Sequence, residues 1–372
     1  MAKIDSLFPI LEFESGGFKP DTKPLSGLAR TAAEAPLDST GCLTEYRPLQ
    51  SRSILSKVNS KRGAPFTHAI NPYRGCEFGC RYCYARYTHE FLEMRDPEEF
   101  ERRIFFKQNA AWLLTQELKR LKPGTHIAIG TATDPYQPLE RRQMLTRSIL
   151  EVLAQTSRFT LGIVTKSTLV ERDIDLLQRI RERNRLTVHL TVTTMNTKLA
   201  RILEPRAPRP DLRIETVRTL RQAGLRAGVL CSPLMPGITD SRSSMAAVAK
   251  AAAAAGACFL ASGALFLKPC SLPTFFAFVK SHFPELLKAY EKRYENNAFV
   301  SPEYRKRVAE LLDSVCREFK LGRRYSEIPQ EDEIGAPALE TQPWLPFERM
   351  EEPAEPRRQM ERPETTAKSE LV

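Results

Sequence analysis

The sequence has no apolar run of membrane-spanning length. Its most apolar stretch, 246–267, is rich in alanine and carries Lys250, and the uninterrupted part from Ala251 to Leu267 falls short of the ~20 strongly apolar residues a bilayer needs. Gly256 divides it more naturally into a helix end and a buried strand, so no membrane partner is expected. The opening residues, MAKIDSLFPILEFESGG, lack both a continuous apolar core and a small-residue cleavage site. Secretion is therefore not expected and a cytoplasmic location is. No period of 20–50 residues repeats, which excludes a solenoid. An aromatic-rich RNA-recognition signature is absent as well. Cysteine is sparse, with eight residues in 372, and in a reducing compartment these are metal-ligand candidates before they are disulfides. What is present, 42% hydrophobic and 8% aromatic residues, excludes whole-chain disorder, collagen and small disulfide scaffolds.

Charge is distributed unevenly. The chain holds 56 Lys+Arg against 45 Asp+Glu, but residues 327–372 contain 5 basic and 12 acidic side chains. Residues 1–326 are left with 51 against 33, a net charge of +18. Such a body attracts phosphates or another anionic partner, although a solvated basic surface explains the excess equally well.

The acidic end carries seven prolines and little apolar periodicity, so 326–372 reads as a disordered acidic tail. Residues 1–60 read as an irregular N-terminal arm. Between them, 61–270 forms a core domain and 271–325 a helical, aromatic extension. Strands are expected at 67–71, 103–107, 126–130, 160–165, 187–193, 228–232 and 258–265. Helical patterns lie between them at 84–91, 110–121, 146–156, 172–183, 214–223 and 243–255. In 110–121, Leu113, Leu114, Leu118 and Leu121 make one apolar stripe while Gln116, Lys119 and Arg120 face outward. Strand–helix alternation repeated about six times implies an α/β fold with a parallel sheet, open or curled into a barrel.

The strongest chemical signal is Asn71-Pro-Tyr-Arg-Gly-Cys76-Glu-Phe-Gly-Cys80-Arg-Tyr-Cys83-Tyr84. Three cysteines at C-x3-C-x2-C follow the first strand and precede the first helix. Soft thiolates on one short loop favour zinc or iron–sulfur, and Gly75 and Gly79 let the backbone fold around the group. Closed zinc needs four ligands, yet His89 is the only nearby fourth candidate and no second C-x2-C pair exists. Three thiolates suit a [4Fe–4S] cluster better, because one iron stays open for a substrate or cofactor. A non-catalytic, zinc-stabilised nucleic-acid-binding protein is the competing reading.

C-x3-C-x2-C with an aromatic, Tyr82, before the last cysteine resembles the signature of the radical S-adenosylmethionine (SAM) superfamily. SRSILSKVNS (51–60), NPYRGCEFGCRYCYAR (71–86), THEF (88–91), GTATDPYQPLE (130–140) and TKS (165–167) are similar to a DNA-repair-photolyase-like branch related to spore photoproduct lyase. The resemblance covers about 45–270 and implies a partial (β/α)6 TIM-like barrel. It also implies a [4Fe–4S] cluster on Cys76, Cys80 and Cys83 and S-adenosylmethionine on the open iron. A one-electron donor such as flavodoxin or ferredoxin would deliver the electron that releases a 5′-deoxyadenosyl radical. Nucleic acid is the leading substrate expectation, for repair or modification. Spore photoproduct lyases carry a hydrogen-donating cysteine three residues before the Asp of the third-strand motif. Thr131 stands there in this chain, so thymine-dimer reversal by that route is not expected.

Ligands of parallel α/β folds sit at the carboxyl ends of the strands, which nominates further cofactor-binding residues. Lys107 suits a methionyl carboxylate or a helix cap, and Asn109 lies beside it. Thr133 and Asp134 match the branch motif, although Asp-Pro alone makes an ordinary turn. Thr165, Lys166 and Ser167 suit a ribose or carboxylate, with helix capping an equal explanation for Ser167. Thr191 and Thr193 end the fifth strand, and Met235 begins a Met-Pro-Gly segment that suits the adenine or a plain turn. Cys231, Cys258, Cys270 and Cys316 are expected in the core, Cys231 having hydrogen donation as its alternative. The arginines between 201 and 226 suit a phosphate-gripping rim or a solvated helix face.

Overall fold

The computed structural model describes residues 25, 27–41, 43–58 and 66–322. The expected acidic tail and Cys42 lie outside the described residues. Eleven strands form two sheets. They are β1 (Ser39–Thr40), β2 (Glu45–Pro48), β3 (Leu55–Lys57), β4 (His68–Ile70), β5 (Tyr73–Arg74), β6 (Arg103–Phe106), β7 (His126–Ile129), β8 (Thr160–Thr165), β9 (Arg185–Thr191), β10 (Ala227–Leu234) and β11 (Leu260–Ala264). The larger sheet runs β11-β10-β9-β8-β7-β4-β3. Every neighbour from β4 to β11 is parallel, while β3 closes the other edge antiparallel. Six parallel strands whose outer members, β4 and β11, do not pair make the partial barrel.

The helices cover this sheet through apolar stripes. In helix Ala110–Leu118, Leu113, Leu114 and Leu118 are buried, each contributing about 2 kcal/mol by leaving water. In helix Pro210–Gln222, which starts with proline at its first position, Ile214, Val217 and Leu220 do the same. Asn196 caps helix Thr197–Leu203, accepting from the Lys198 and Leu199 amides at 3.1 Å. Ser241 caps helix Arg242–Ala254 through the Ser244 amide, 3.1 Å away.

Two expectations need correction. The 103–107 strand is present, but β6 is not a barrel strand. It joins the side sheet β1-β2-β6-β5, parallel to β2 and antiparallel to β5. The described part of the arm is also not irregular. It contributes a helix, Gly27–Glu34, and β1 and β2 to the side sheet, while β3 edges the barrel. Glu117 holds this arm, accepting from the Ile54 and Leu55 amides at 3.2 and 2.8 Å. The C-terminal helices Leu272–His282, Leu287–Tyr294 and Pro302–Glu318 follow β11. Phe275, Phe278, Tyr290 and Tyr294 from the first two share one apolar cluster with Cys76, Phe78, Cys80 and Tyr82. Among the described residues no helix is long and apolar enough to cross a membrane.

Candidate active site

All three motif cysteines lie on the loop between β5, which follows the carboxyl end of β4, and the turn at Tyr84–Arg86. Gly75 and Gly79 adopt φ of +86° and +62°, and a Cβ on either would collide. At Gly75 it would stand 2.8 Å from the Phe100 carbonyl, and at Gly79 2.6 Å from the Arg206 guanidinium. The loop is fastened along its length. The Cys76 amide donates to the Phe100 carbonyl at 2.9 Å and the Arg81 amide to the Leu203 carbonyl at 2.9 Å. Ser271 Oγ donates to the Cys83 carbonyl at 2.8 Å. Cys76 and Cys80 are buried and Cys83 is half-buried, all three as free thiols. Burial pushes each thiol up, Cys80 to about 12. They stay protonated until a metal centre displaces the protons.

Residues after β7 grip the loop from the barrel side. Thr133 Oγ1 donates to the Gly75 carbonyl at 2.6 Å, and Gln137 Oε1 accepts from the Glu77 amide at 3.0 Å. Glu77 in turn accepts from the Leu139 amide at 2.9 Å and from Tyr46 of the arm at 2.7 Å. Asn71 accepts from the Ala132 amide at 2.8 Å. Asp134, near Cys76, accepts from Thr165 Oγ1 at 2.7 Å, the Lys166 amide at 2.8 Å and the Tyr136 amide at 2.9 Å. Its carboxylate thus ties the ends of β7 and β8 together.

A second carboxylate stands on the other side. Glu204, 2% exposed, accepts from the Tyr82 hydroxyl and, at 2.9 Å, from Thr193. Its other oxygen lies 2.6 Å from Arg213 Nη1, itself 1% exposed. Burial pushes Glu204 up, but Arg213 and Lys166 outweigh it and hold the carboxyl below its usual range. Lys166 Nζ lies 5.7 Å from the Tyr82 ring centroid. Burial would lower this amine, yet Cys80 and Glu204 keep it above its ordinary value. Glu204, Arg213, Glu77 and Gln137 were missed in the sequence. The sequence puts Arg213 on a rim or solvated face and starts the helix at 214, whereas the helix Pro210–Gln222 buries Arg213 with Val217 and Leu220.

Of the remaining nominated residues, Thr165 and Thr193 belong to these two networks. Ser167 caps the following turn, accepting from the Leu169 amide at 3.2 Å. Thr191 offers its carbonyl to Arg213 at 3.0 Å. Met235 is buried at the end of β10, its amide bonded to Thr239 at 2.9 Å. Lys107 is not among the strongest charges acting on the thiols. Asn109 is spent on Ser51, bonding its carbonyl at 2.9 Å and its amide at 3.3 Å. Burial lowers the Lys107 amine to about 7, helped by the neighbouring Arg74. Cys231 and Cys316 are buried, as expected of core cysteines, while Cys258 and Cys270 are only half-buried.

The donor set decides which metal group the loop can hold. His89 turns Nε2 to the Arg103 carbonyl at 3.0 Å and is packed against Phe100, so it does not complete a four-ligand zinc site. Among the described residues no three His, Cys, Asp or Glu side chains close on a single ion. Three thiols on one glycine-flexed loop, with no fourth ligand from His89, fit a cubane with one iron left open.

Comparison with known proteins agrees. The Radical SAM superfamily profile matches residues 70–247. An uncharacterised protein of Mycobacterium tuberculosis strain H37Rv is 32% identical over 289 residues, 77% of this chain and 85% of that protein. Another from Methanocaldococcus jannaschii is 30% identical, covering 46% of this chain and 62% of its own. Among solved structures, a spore photoproduct lyase variant superposes with a TM-score of 0.55 at 19% identity, over 74% of this chain and 79% of its own. A second such structure, with bound AdoMet and dinucleoside spore photoproduct, gives 0.53 at 16%, over 73% and 78%. With its three-thiol loop at the mouth of a six-stranded parallel barrel, the chain belongs to the radical SAM superfamily, whose enzymes use a [4Fe–4S] cluster, S-adenosylmethionine and an external electron donor.

Proposed function

We propose that this protein is a radical SAM enzyme acting on nucleic acid, with its cluster on Cys76, Cys80 and Cys83. The observation that carries the ligand assignment is the trio of free thiols on one loop, with the nearby imidazole of His89 bonded to the Arg103 carbonyl instead. Cluster and S-adenosylmethionine together supply a one-electron cleavage whose 5′-deoxyadenosyl radical takes hydrogen from an unactivated carbon. The protein's own residues do the rest. Lys166, beside Cys80 and Tyr82, offers a cation to the negative charge gathered at the loop. Asp134 and Glu204 fix the two sides of the loop, so cofactor and substrate meet a preset geometry. The aromatic cluster beneath the thiols keeps water out. Nucleic acid is supported by the +18 charge of residues 1–326 and by the lyase neighbours. An acidic flavodoxin or ferredoxin is the fitting electron donor. The division into a core at 61–270 and an extension at 271–325 is part of this reading.

Anaerobic reconstitution tests the assignment. The wild type should turn brown, with broad absorption near 400 nm (roughly as for cysteine-ligated clusters), and release 5′-deoxyadenosine. Cys80→Ala should lose both properties. A colourless wild type holding stoichiometric zinc would sink the proposal. Deuterium transfer from labelled oligonucleotides into 5′-deoxyadenosine tests the substrate class.

A further inference from the structure

Two cations on the side sheet lack counter-ions. Arg74 of β5 faces Phe105 of β6 across an antiparallel pair, and the Lys107 amide donates to the Pro72 carbonyl at 3.1 Å. In this register Arg74, Phe105 and Lys107 leave the same face of the sheet. Lys107 is 6% exposed, and Arg74 Nε is buried without a hydrogen-bond partner. Among the described residues neither side chain makes an ion pair or a side-chain hydrogen bond. The one carboxylate acting on Lys107 is Glu117, and its oxygens are taken by the Ile54 and Leu55 amides. A third cation meets the same phenol as Arg74. Lys268 Nζ stands 3.4 Å from the ring centroid of Tyr87, the phenol that faces Arg74.

Burying positive charge without a partner is costly, which is why the Lys107 amine falls to about 7, and one oxyanion would restore its charge and satisfy Arg74 at once. We propose that Arg74 and Lys107 form an oxyanion site that takes a phosphate group of the substrate. The substrate class rests on the nucleic-acid reading above, while the oxyanion chemistry stands on the residues alone. Phosphate is favoured over the cofactor's carboxylate by position. The strongest side-chain charges acting on the thiols, besides the thiols themselves, are Lys166, Asp134, Glu204, Arg213, Arg86 and Glu101, with neither Arg74 nor Lys107 among these. Arg74 nevertheless sits two residues before Cys76. A phosphate held there would anchor the substrate backbone beside the loop and leave the barrel mouth to the reacting group.

The test uses the full-length chain with Arg74→Gln, Lys107→Met and Lys107→Arg. In the cluster-free protein at constant ionic strength, inorganic phosphate in tenfold excess over its dissociation constant should raise the wild-type Tm by about 2–4 °C. Arg74→Gln and Lys107→Met should show no such rise. Each should weaken a fluorescein-labelled single-stranded oligonucleotide about tenfold and flatten its salt dependence by roughly 0.7 in slope. Lys107→Arg should restore binding, which a merely packing role would not do. S-adenosylmethionine affinity of the reconstituted enzyme, by equilibrium dialysis, should stay within about twofold of wild type. Loss of that affinity instead would overturn the phosphate assignment in favour of the cofactor's carboxylate. Phosphate without effect and oligonucleotide affinity unaltered would overturn the site. Should the wild type bind phosphate in an Arg74-dependent way but no oligonucleotide, the site stands and the nucleic-acid reading fails.

Discussion

At the scale of single residues, His89 shows how a feature of the motif region can be structural. The sequence offered it as a fourth metal ligand. In the fold it is a buried neutral imidazole between Phe100 and Phe105, bonded to the Arg103 carbonyl. Burial lowers it to about 4, with the nearby Arg74, Arg86 and Arg103 adding to the effect. The sign of its pH dependence follows. The unfolded chain binds the proton near pH 6.5 and the folded one only near 4. Stability from the neutral ring is complete above 6.5 and is lost as pH falls towards 4. Denaturant titrations of the cluster-free protein should show the wild type losing about 3 kcal/mol more over that interval than His89→Leu. Parallel pH profiles for the two proteins would show that the imidazole is not held neutral.

At the scale of elements, the sequence announced strands and helices more clearly than their partners. The alternation in 160–165 and the stripe in 110–121 are local patterns; the strand stands at Thr160–Thr165 and the helix at Ala110–Leu118, ending one turn before Leu121. Pairing is not local. A short apolar run such as Ile104-Phe105-Phe106 is compatible with any buried sheet, and β6 pairs with β2 and β5 rather than with the barrel. The cluster loop was legible because its chemistry sits within eight consecutive residues. Glu204 was not, because its partner Tyr82 is 122 positions away. Arg213, on the next helix, balances that carboxylate within the protein interior. Arg213→Met should therefore cost about 3–5 kcal/mol by leaving Glu204 buried and unpaired. Adding Glu204→Gln should recover most of the loss, since the second change removes the stranded charge. Urea unfolding of the cluster-free variants measures both, and a double variant no more stable than the single would refute the pairing argument.

At the scale of the whole molecule, the basic excess is a poor guide to how many phosphates can be gripped. Residues 1–326 carry +18, and the arginines from 201 to 226 read as a phosphate-gripping rim or, for most of them, as a solvated helix face. The fold spends most of them. Arg213 is buried on Glu204, Arg209 pairs with Asp211 at 2.8 Å and Arg218 with Glu215 at 3.2 Å. Arg206 lies 3.6 Å from Glu101, and Arg221 donates to the Gly256 and Leu225 carbonyls at 2.9 and 2.7 Å. Counterion release depends on phosphates actually contacted, not on formal charge. Single-stranded oligonucleotide binding should therefore weaken with log salt concentration at a slope of roughly −2 to −3, as for three or four contacts at about −0.7 each. A slope steeper than about −6 would mean that eight or more phosphates are engaged. The arginine segment would then have to open its ion pairs on binding, because the site at Arg74 and Lys107 holds only one phosphate.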